Sequence, residues 1–427
     1  MRVLMVSANL VQVNMSVLPV GMACVAAALE HAGHNIRVVN LMQPGHVSRF
    51  LTPALKAFVP DIIGISVRNI DDQNMGAPQF LLSQIKPVIA ECRSHSAAPI
   101  VLGGPGYSIF PQSALDYLEA DFGIQGEGEW GTGELIRRIE EDAAFEGLNG
   151  LWTPDRGRMA PPFLNQQLDA YPMPDPLAHL DAPLDGGYQD LMVPFQTRRG
   201  CPMNCSYCST PAIEGRKMRR HSPRIAVDNL RLFVESGFKR FFFVDNTFNF
   251  PRSYAMALCD GIIEAGLDIS WQSSIYPARI DEALIEKMAL AGCQAASVGF
   301  ESANERVLSA MNKKYGKEDV RRLSEALYRH GIERMGFILL GGPCETRQSV
   351  LESIRFAESL ELETVKLTAG IRIYPSTPLA ETARQKAMIA QNDSLLRPTF
   401  YLESGLDEAW LQDTVADAVS RNPGWTS

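Results

Sequence analysis

The stretch VPFQTRRGCPMNCSYC, residues 193–208, runs from a short apolar strand through a glycine turn into a loop that places three cysteines within eight positions. A strand that opens into such a loop suits the carboxyl-end mouth of a barrel, where barrel enzymes carry their chemistry. The spacing C-x3-C-x2-C puts Cys201, Cys205 and Cys208 on one loop. Three thiolates can each hold one iron of a [4Fe-4S] cube, whose irons want one terminal ligand apiece, and leave the fourth iron open. A structural zinc ion would call for a fourth Cys or His at suitable spacing, but the nearest histidine, His221, lies thirteen residues beyond Cys208.

Downstream, strand and helix patterns alternate: RFFFVDNTF (240–248), DISWQSSI (268–275), AASVGFES (295–302), RMGFILLGG (334–342) and TVKLTAGIRIYP (364–375). Counted with the strand at 193–200, these make six βα units. That is too few for a closed eight-fold barrel and predicts an open (β/α)6 partial barrel over 191–375. Residues 376–427 read as a small helical C-terminal region. Upstream, RVLMVSA (2–8), NIRVVNL (35–41), DIIGISV (61–67), PIVLGGPG (99–106) and FGIQGEGE (122–129) alternate with helical segments. This predicts an α/β, Rossmann-like, doubly wound parallel sheet over 1–145, with ligands expected beyond the carboxyl ends of its strands. Residues 146–190 are proline-rich and read as a linker.

The chain has 427 residues, enough for two or three domains, because one core stops growing near about 250 to 300 residues. A net charge of -9 argues against a nucleic-acid partner, although EGRKMRRH (214–221) could meet one anion. No run approaches the length of a membrane span. The opening MRVLMVSANL reads as a strand and not as a signal peptide, so a cytoplasmic location is expected. Cys24, Cys92, Cys259, Cys293 and Cys344 each read as small core residues.

With its aromatic before the last cysteine, CPMNCSYC resembles the signature of the radical S-adenosylmethionine (SAM) enzymes, in which SAM chelates the open iron and is cleaved to a 5'-deoxyadenosyl radical. The resemblance runs along the whole barrel. It assigns Tyr207 to the adenine, Asp245 and Asn246 of FVDNTFN to the methionine amino group, and Ser273 and Arg279 of WQSSIYPAR to the carboxylate. Glu301 of GFESANERVLSAMNK falls to the ribose or amino group, and GFILLGGPCET resembles the adenine-flanking segment with Cys344 in place of a glycine.

An N-terminal Rossmann unit before such a barrel resembles the cobalamin-binding subclass of this family. The cobalamin contacts then implied are Ser7 and Asn9 after the first strand and Ser66, Val67, Arg68 and Asn69 after the third. Gly103 and Gly104 follow the fourth strand, and Gly126 and Glu127 belong to the GEGE loop. The stretch SANLVQVNMS (7–16) contains no histidine, so no lower axial imidazole comes from that loop, and Arg68 or Asn69 could face cobalt instead. His31 and His34 read as a helix-end pair and not as ligands. The subclass implies methylation of an unactivated carbon, or phosphorus, of a small molecule through the radical and methylcobalamin, with a reductant such as flavodoxin or ferredoxin. Some relatives instead perform ring closure, ring contraction or dehydration, with or without cobalamin.

Overall fold

A computed structural model of the chain describes residues 1–10, 18–42, 47–180 and 191–427. The first sheet contains β1 (Arg2–Ser7), β2 (Asn35–Asn40), β3 (Ile62–Ser66), β4 (Ile100–Gly103), β5 (Phe122–Ile124), β6 (Leu151–Thr153) and β7 (Gly157–Arg158). Its order is β2-β1-β3-β4-β5-β6-β7. It is parallel through β5, as expected for strands separated by helices. The run IIGIS of β3 is apolar because both its faces are covered, and Ile62, Ile63 and Ile65 are almost wholly buried.

The linker expected at 146–190 needs correction in its first part. Residues 151–158 form a hairpin in which β6 adds antiparallel to β5 and β7 pairs antiparallel with β6. Three- and two-residue strands are too short to show an alternating pattern, and the Pro154–Asp155 turn with Gly157 at φ +68 disguised them as a linker. Beyond the hairpin come short helical turns at Leu168–Ala170 and Pro176–His179, and residues 181–190 lie outside the described residues.

The second sheet begins with β8 (Met192–Phe195), which is followed by the two-residue pair β9 (Arg198–Arg199) and β10 (Arg219–Arg220). Next come β11 (Arg240–Phe243), β12 (Ser270–Ile275), β13 (Cys293–Glu301), β14 (Glu333–Leu340) and β15 (Thr364–Ala369). After these, β16 (Ile371–Arg372) pairs with β17 (Phe400–Tyr401), and β18 (Trp425–Thr426) ends the chain. The order β18-β15-β14-β13-β12-β11-β8 is parallel throughout. The six expected barrel strands are therefore present, and β18 extends them at the β15 edge. The C-terminal region is not only helical: helices Pro378–Gln385 and Glu408–Arg421 accompany β17 and β18.

Alternation along the barrel strands separates two faces. Phe241, Phe243, Trp271, Ile275, Val298, Ile338 and Leu367 pack with the surrounding helices, so their neighbours in sequence line the inner face. The two domains also share apolar packing. One cluster joins Leu4, Ile63, Ile65 and Leu102 of the first sheet to Met311, Ile371, Leu379 and Tyr401 of the second domain.

Candidate active site

The cysteine loop leaves β9 through Gly200, which has φ +86, and a Cβ there would collide with the Lys217 carbonyl. The Cys201 amide then donates to the Gly215 carbonyl at 3.2 Å. The loop's far side is held by Ser206, whose amide donates to Met311 at 3.1 Å and whose carbonyl accepts from Leu379 at 2.8 Å. Asn312 Nδ2 and Arg216 Nη1 each reach Asn204 at 2.6 Å. Three free thiols on a loop pinned from both sides suit a cube. Among the described residues no three Cys, His, Asp or Glu side chains gather round one point as a single metal ion requires. A cube, by contrast, spreads its thiolates over three irons.

Burial, with the neighbouring thiols adding to it, pushes the Cys201 thiol up to about 11. Burial also raises Cys205, opposed chiefly by the Lys313 ammonium. Filling the site must therefore release protons.

Beside the loop sits a buried triad. Glu301 closes β13 at a register shift, with φ +57, and its Oε1 accepts from Tyr207 Oη at 2.8 Å and from Lys313 Nζ at 2.9 Å. Lys313 also donates to Tyr207 Oη at 2.8 Å and lies 5.1 Å from the centre of its ring. Burial works against the ammonium charge, but Glu301, Tyr315, Tyr207 and Cys205 outweigh it and hold Lys313 protonated well above the ordinary lysine range. On the other flank, Cys208 Sγ donates to Thr210 Oγ1 at 3.3 Å, which donates to Asn246 Oδ1 at 3.2 Å. Asn246 Nδ2 in turn donates to Glu214 at 2.8 Å, and the same carboxylate accepts from the Gly200 amide at 2.9 Å.

In the first domain the last residues of three strands stand in register, Ser7 beside Ser66 and Ser66 beside Gly103. This row lies where strand order reverses about β1 and β3, the position at which doubly wound sheets hold ligands. Gly104, at φ +95, could not carry a Cβ, which would lie 2.7 Å from the Val67 carbonyl, whereas a Cβ on Gly103 would meet nothing closer than 4.0 Å. A narrow cleft of only about 10 Å³ opens between Asn9, Asn69 and Gln84. Arg68 follows Val67, and its Nη1 is buried without a partner among the described residues. Small strand-end residues and an unsatisfied buried donor fit a large cofactor laid across this edge. Another hollow, of about 980 Å³, lies far from both places, between Asp116, Phe122 and Phe145.

The B12 binding domain family matches residues 6–136, and the Radical SAM superfamily matches residues 196–357. The chain belongs to the cobalamin-binding radical SAM enzymes. A [4Fe-4S] cluster, SAM and cobalamin are accordingly its cofactors. Among its relatives, an uncharacterized methyltransferase of Pyrococcus horikoshii is 28% identical over 86% of this chain and 78% of its own length. The tryptophan 2-C-methyltransferase of Streptomyces laurentii is 23% identical over 88% and 73%. The structure of the radical SAM methyltransferase TsrM from Kitasatospora setae, with tryptophan and a SAM analogue bound, has the same fold. It superposes with a TM-score of 0.88 at 23% identity, covering 99% of this chain and 89% of that one.

Within this radical SAM enzyme several expected site residues are brought together and others are not. Tyr207, Asn246 and Glu301 border the cysteine loop. Arg279 is exposed at φ +55 and forms no hydrogen bond or ion pair with the described residues, so its guanidinium is available to an anion. Asp245 is not available: it is 1% exposed and accepts from Thr197 N and Oγ1 and from Arg198 N, Nε and Nη2 at 2.6–3.0 Å. Five donors saturate this carboxylate, which ties β9 to the end of β11. Ser273 shares the helix-facing side with Trp271 and Ile275 and is 0% exposed, so Gln272 and Ser274 face the interior in its place.

In the first domain Glu127 is also committed elsewhere. It pairs with Arg219, accepts from the Asn165 amide at 2.9 Å and lies 3.7 Å from Arg199. That pairing also consumes part of the basic run at 214–221. Gly126 turns left-handed and backs onto Pro162. His34 meets the amino group of Met1 at 3.3 Å. Residues 11–16 of the histidine-free loop lie outside the described residues. Of the single cysteines, Cys92, Cys259 and Cys293 are buried, Cys24 is half-buried, and Cys344 is exposed at φ +68, in the backbone conformation a glycine would adopt. Lys313, Arg198 and Glu214 were not singled out from the sequence. Lys313 stands at the end of the same segment as Glu301, but its burial is a tertiary fact.

Proposed function

We propose that this protein is a cobalamin-dependent radical SAM methyltransferase acting on an unactivated carbon, or phosphorus, of a small molecule. The observation that carries this reading is the union, through one shared apolar core, of the three-thiol loop with the open strand-end row Ser7, Ser66 and Gly103. The methyltransferase names of the relatives support the same activity. Bound together, cluster and SAM supply a carbon-centred radical and cobalamin supplies the methyl group.

The chain's own part is binding, orientation and exclusion of water. Asn204 and Ser206 anchor the cluster loop, Glu301 and Tyr207 wall it, and exposed Arg279 offers a cation for the SAM carboxylate. The inner strand face carries Phe242, Gln272, Ser274, Phe337, Lys366 and Thr368, a mixed lining of aromatic, polar and cationic side chains for an organic substrate. A small electron-transfer protein such as flavodoxin or ferredoxin supplies the reducing electron. A cytoplasmic setting agrees with eight unpaired cysteines and with the absence, among the described residues, of any helix long and apolar enough to cross a membrane.

The test needs no substrate. The full chain is reconstituted anaerobically with iron, sulfide and hydroxocobalamin, then given reductant and methyl-labelled SAM. Formation of S-adenosylhomocysteine only when cobalamin is present is the expected result. If both cofactors bind and only 5'-deoxyadenosine forms, the protein is a non-methylating radical enzyme.

A further inference from the structure

We propose that Lys313 and Glu301 form an opposed charge pair that sets the reduction potential of the iron-sulfur cluster, with Lys313 easing and Glu301 hindering its reduction. The inference rests on the cluster assigned to the cysteine loop and is independent of methyl transfer. Lys313 is 5% exposed and Glu301 9% exposed at their side chains, so neither charge is screened by water. Their shared partner is Tyr207, which sits between Cys205 and Cys208 in the loop. Lys313 Nζ also lies 5.1 Å from the centre of the Tyr207 ring, against the cysteine loop itself. A cluster held by three thiolates gains a negative charge on reduction. A fixed cation or hydrogen-bond donor against a ligating sulfur stabilises the reduced form, and a fixed anion opposes it.

The geometry makes the pair unequal. Lys313 meets the tyrosine at both its hydroxyl and its ring, whereas Glu301 meets it at the hydroxyl alone. Lys313 thus acts by its charge through the tyrosine of the cysteine loop, and it is not a group that touches substrate.

The experiment is a redox titration of the reconstituted full chain in the absence of SAM. The reduced-cluster signal is followed by electron paramagnetic resonance, and iron and sulfide are quantified in every sample. Lys313→Met is expected to lower the reduced-to-oxidised ratio at a fixed potential about tenfold, equivalent to ~59 mV for one electron. Glu301→Gln should move it the other way, and Lys313→Arg should stay with the wild type. If Lys313→Met assembles no cluster, the signs for Glu301→Gln and Lys313→Arg decide. Clusters that form in all proteins and titrate together, or that shift in the same direction, overturn the charge pair alone. A wild-type protein that binds no cluster overturns the charge pair together with the reading of the loop.

Discussion

Asp245 shows how one residue can carry a motif and yet serve the fold. Its carboxylate neutralises Arg198, itself 1% exposed, whose Nη1 also donates to the Phe248 carbonyl at 2.8 Å. Removing one partner of such a buried pair costs about 3–5 kcal/mol, because the other charge stays in the interior uncompensated. Asp245→Asn should therefore lower the urea midpoint strongly, while the fraction that remains folded binds SAM as before. Arg279→Ala should do the reverse. It should change stability by no more than ~0.5 kcal/mol, as is usual for an exposed side chain, and weaken SAM binding measured by equilibrium dialysis. Equal loss of SAM affinity in both variants would return Asp245 to the binding site.

At the scale of elements, two loops place the two cofactors, and each depends on a glycine in the left-handed region. Gly200 turns β9 into the cysteine loop, and Gly104 follows β4 against the Val67 carbonyl. A side chain at either position strains the backbone and collides with a carbonyl, which destabilises by more than about 1 kcal/mol and displaces the loop. Gly200→Ala should thus lose iron and sulfide while retaining cobalamin. Gly104→Ala should lose cobalamin while retaining iron and sulfide, with metal analysis and visible spectra separating the two. If both variants lost both cofactors, the loops could not be independent units. The same scale explains Cys344: a non-glycine residue at φ +68 carries a backbone cost that glycine would not.

At the scale of the whole molecule, the domains are fastened as well as joined. Asp71 and Arg372 form an ion pair 2.8 Å long with both side chains 2% exposed. Arg372 also donates to the carbonyls of Ile373 at 2.7 Å and Leu395 at 2.8 Å. Asp71 stands two residues beyond Asn69, so the pair ties the loop after β3, with Arg68 on it, to the end of the barrel. A second fastening joins Glu129 to Arg199 at 2.5 Å. With the apolar cluster shared across the boundary, this predicts one cooperative unfolding unit. Arg372→Met should cost about 3–5 kcal/mol and raise hydrogen exchange in the first sheet and at 395–401 together. Protection lost in one domain alone would mean that the domains unfold separately.

Much of this protein was legible in its sequence. The spacing of Cys201, Cys205 and Cys208 specifies a three-thiol loop wherever the chain folds, because the ligands are neighbours along it. The βα alternation specified both parallel sheets, since hydrophobic period and loop length are local properties. The assignments that failed were those requiring distant parts of the chain. Whether Asp245 meets a ligand or Arg198 depends on how β9 lies against β11. Whether Ser273 or Ser274 faces inward depends on which side the helices cover, and Glu127 was claimed by Arg219 from the other domain. The hairpin at 151–158 and the edge strand β18 were too short to carry a pattern and exist only because a sheet edge was there to pair with. Lys313 shows the same division: its place after Glu301 is written in the chain, but only the fold buries it between a carboxylate and the tyrosine of the cysteine loop.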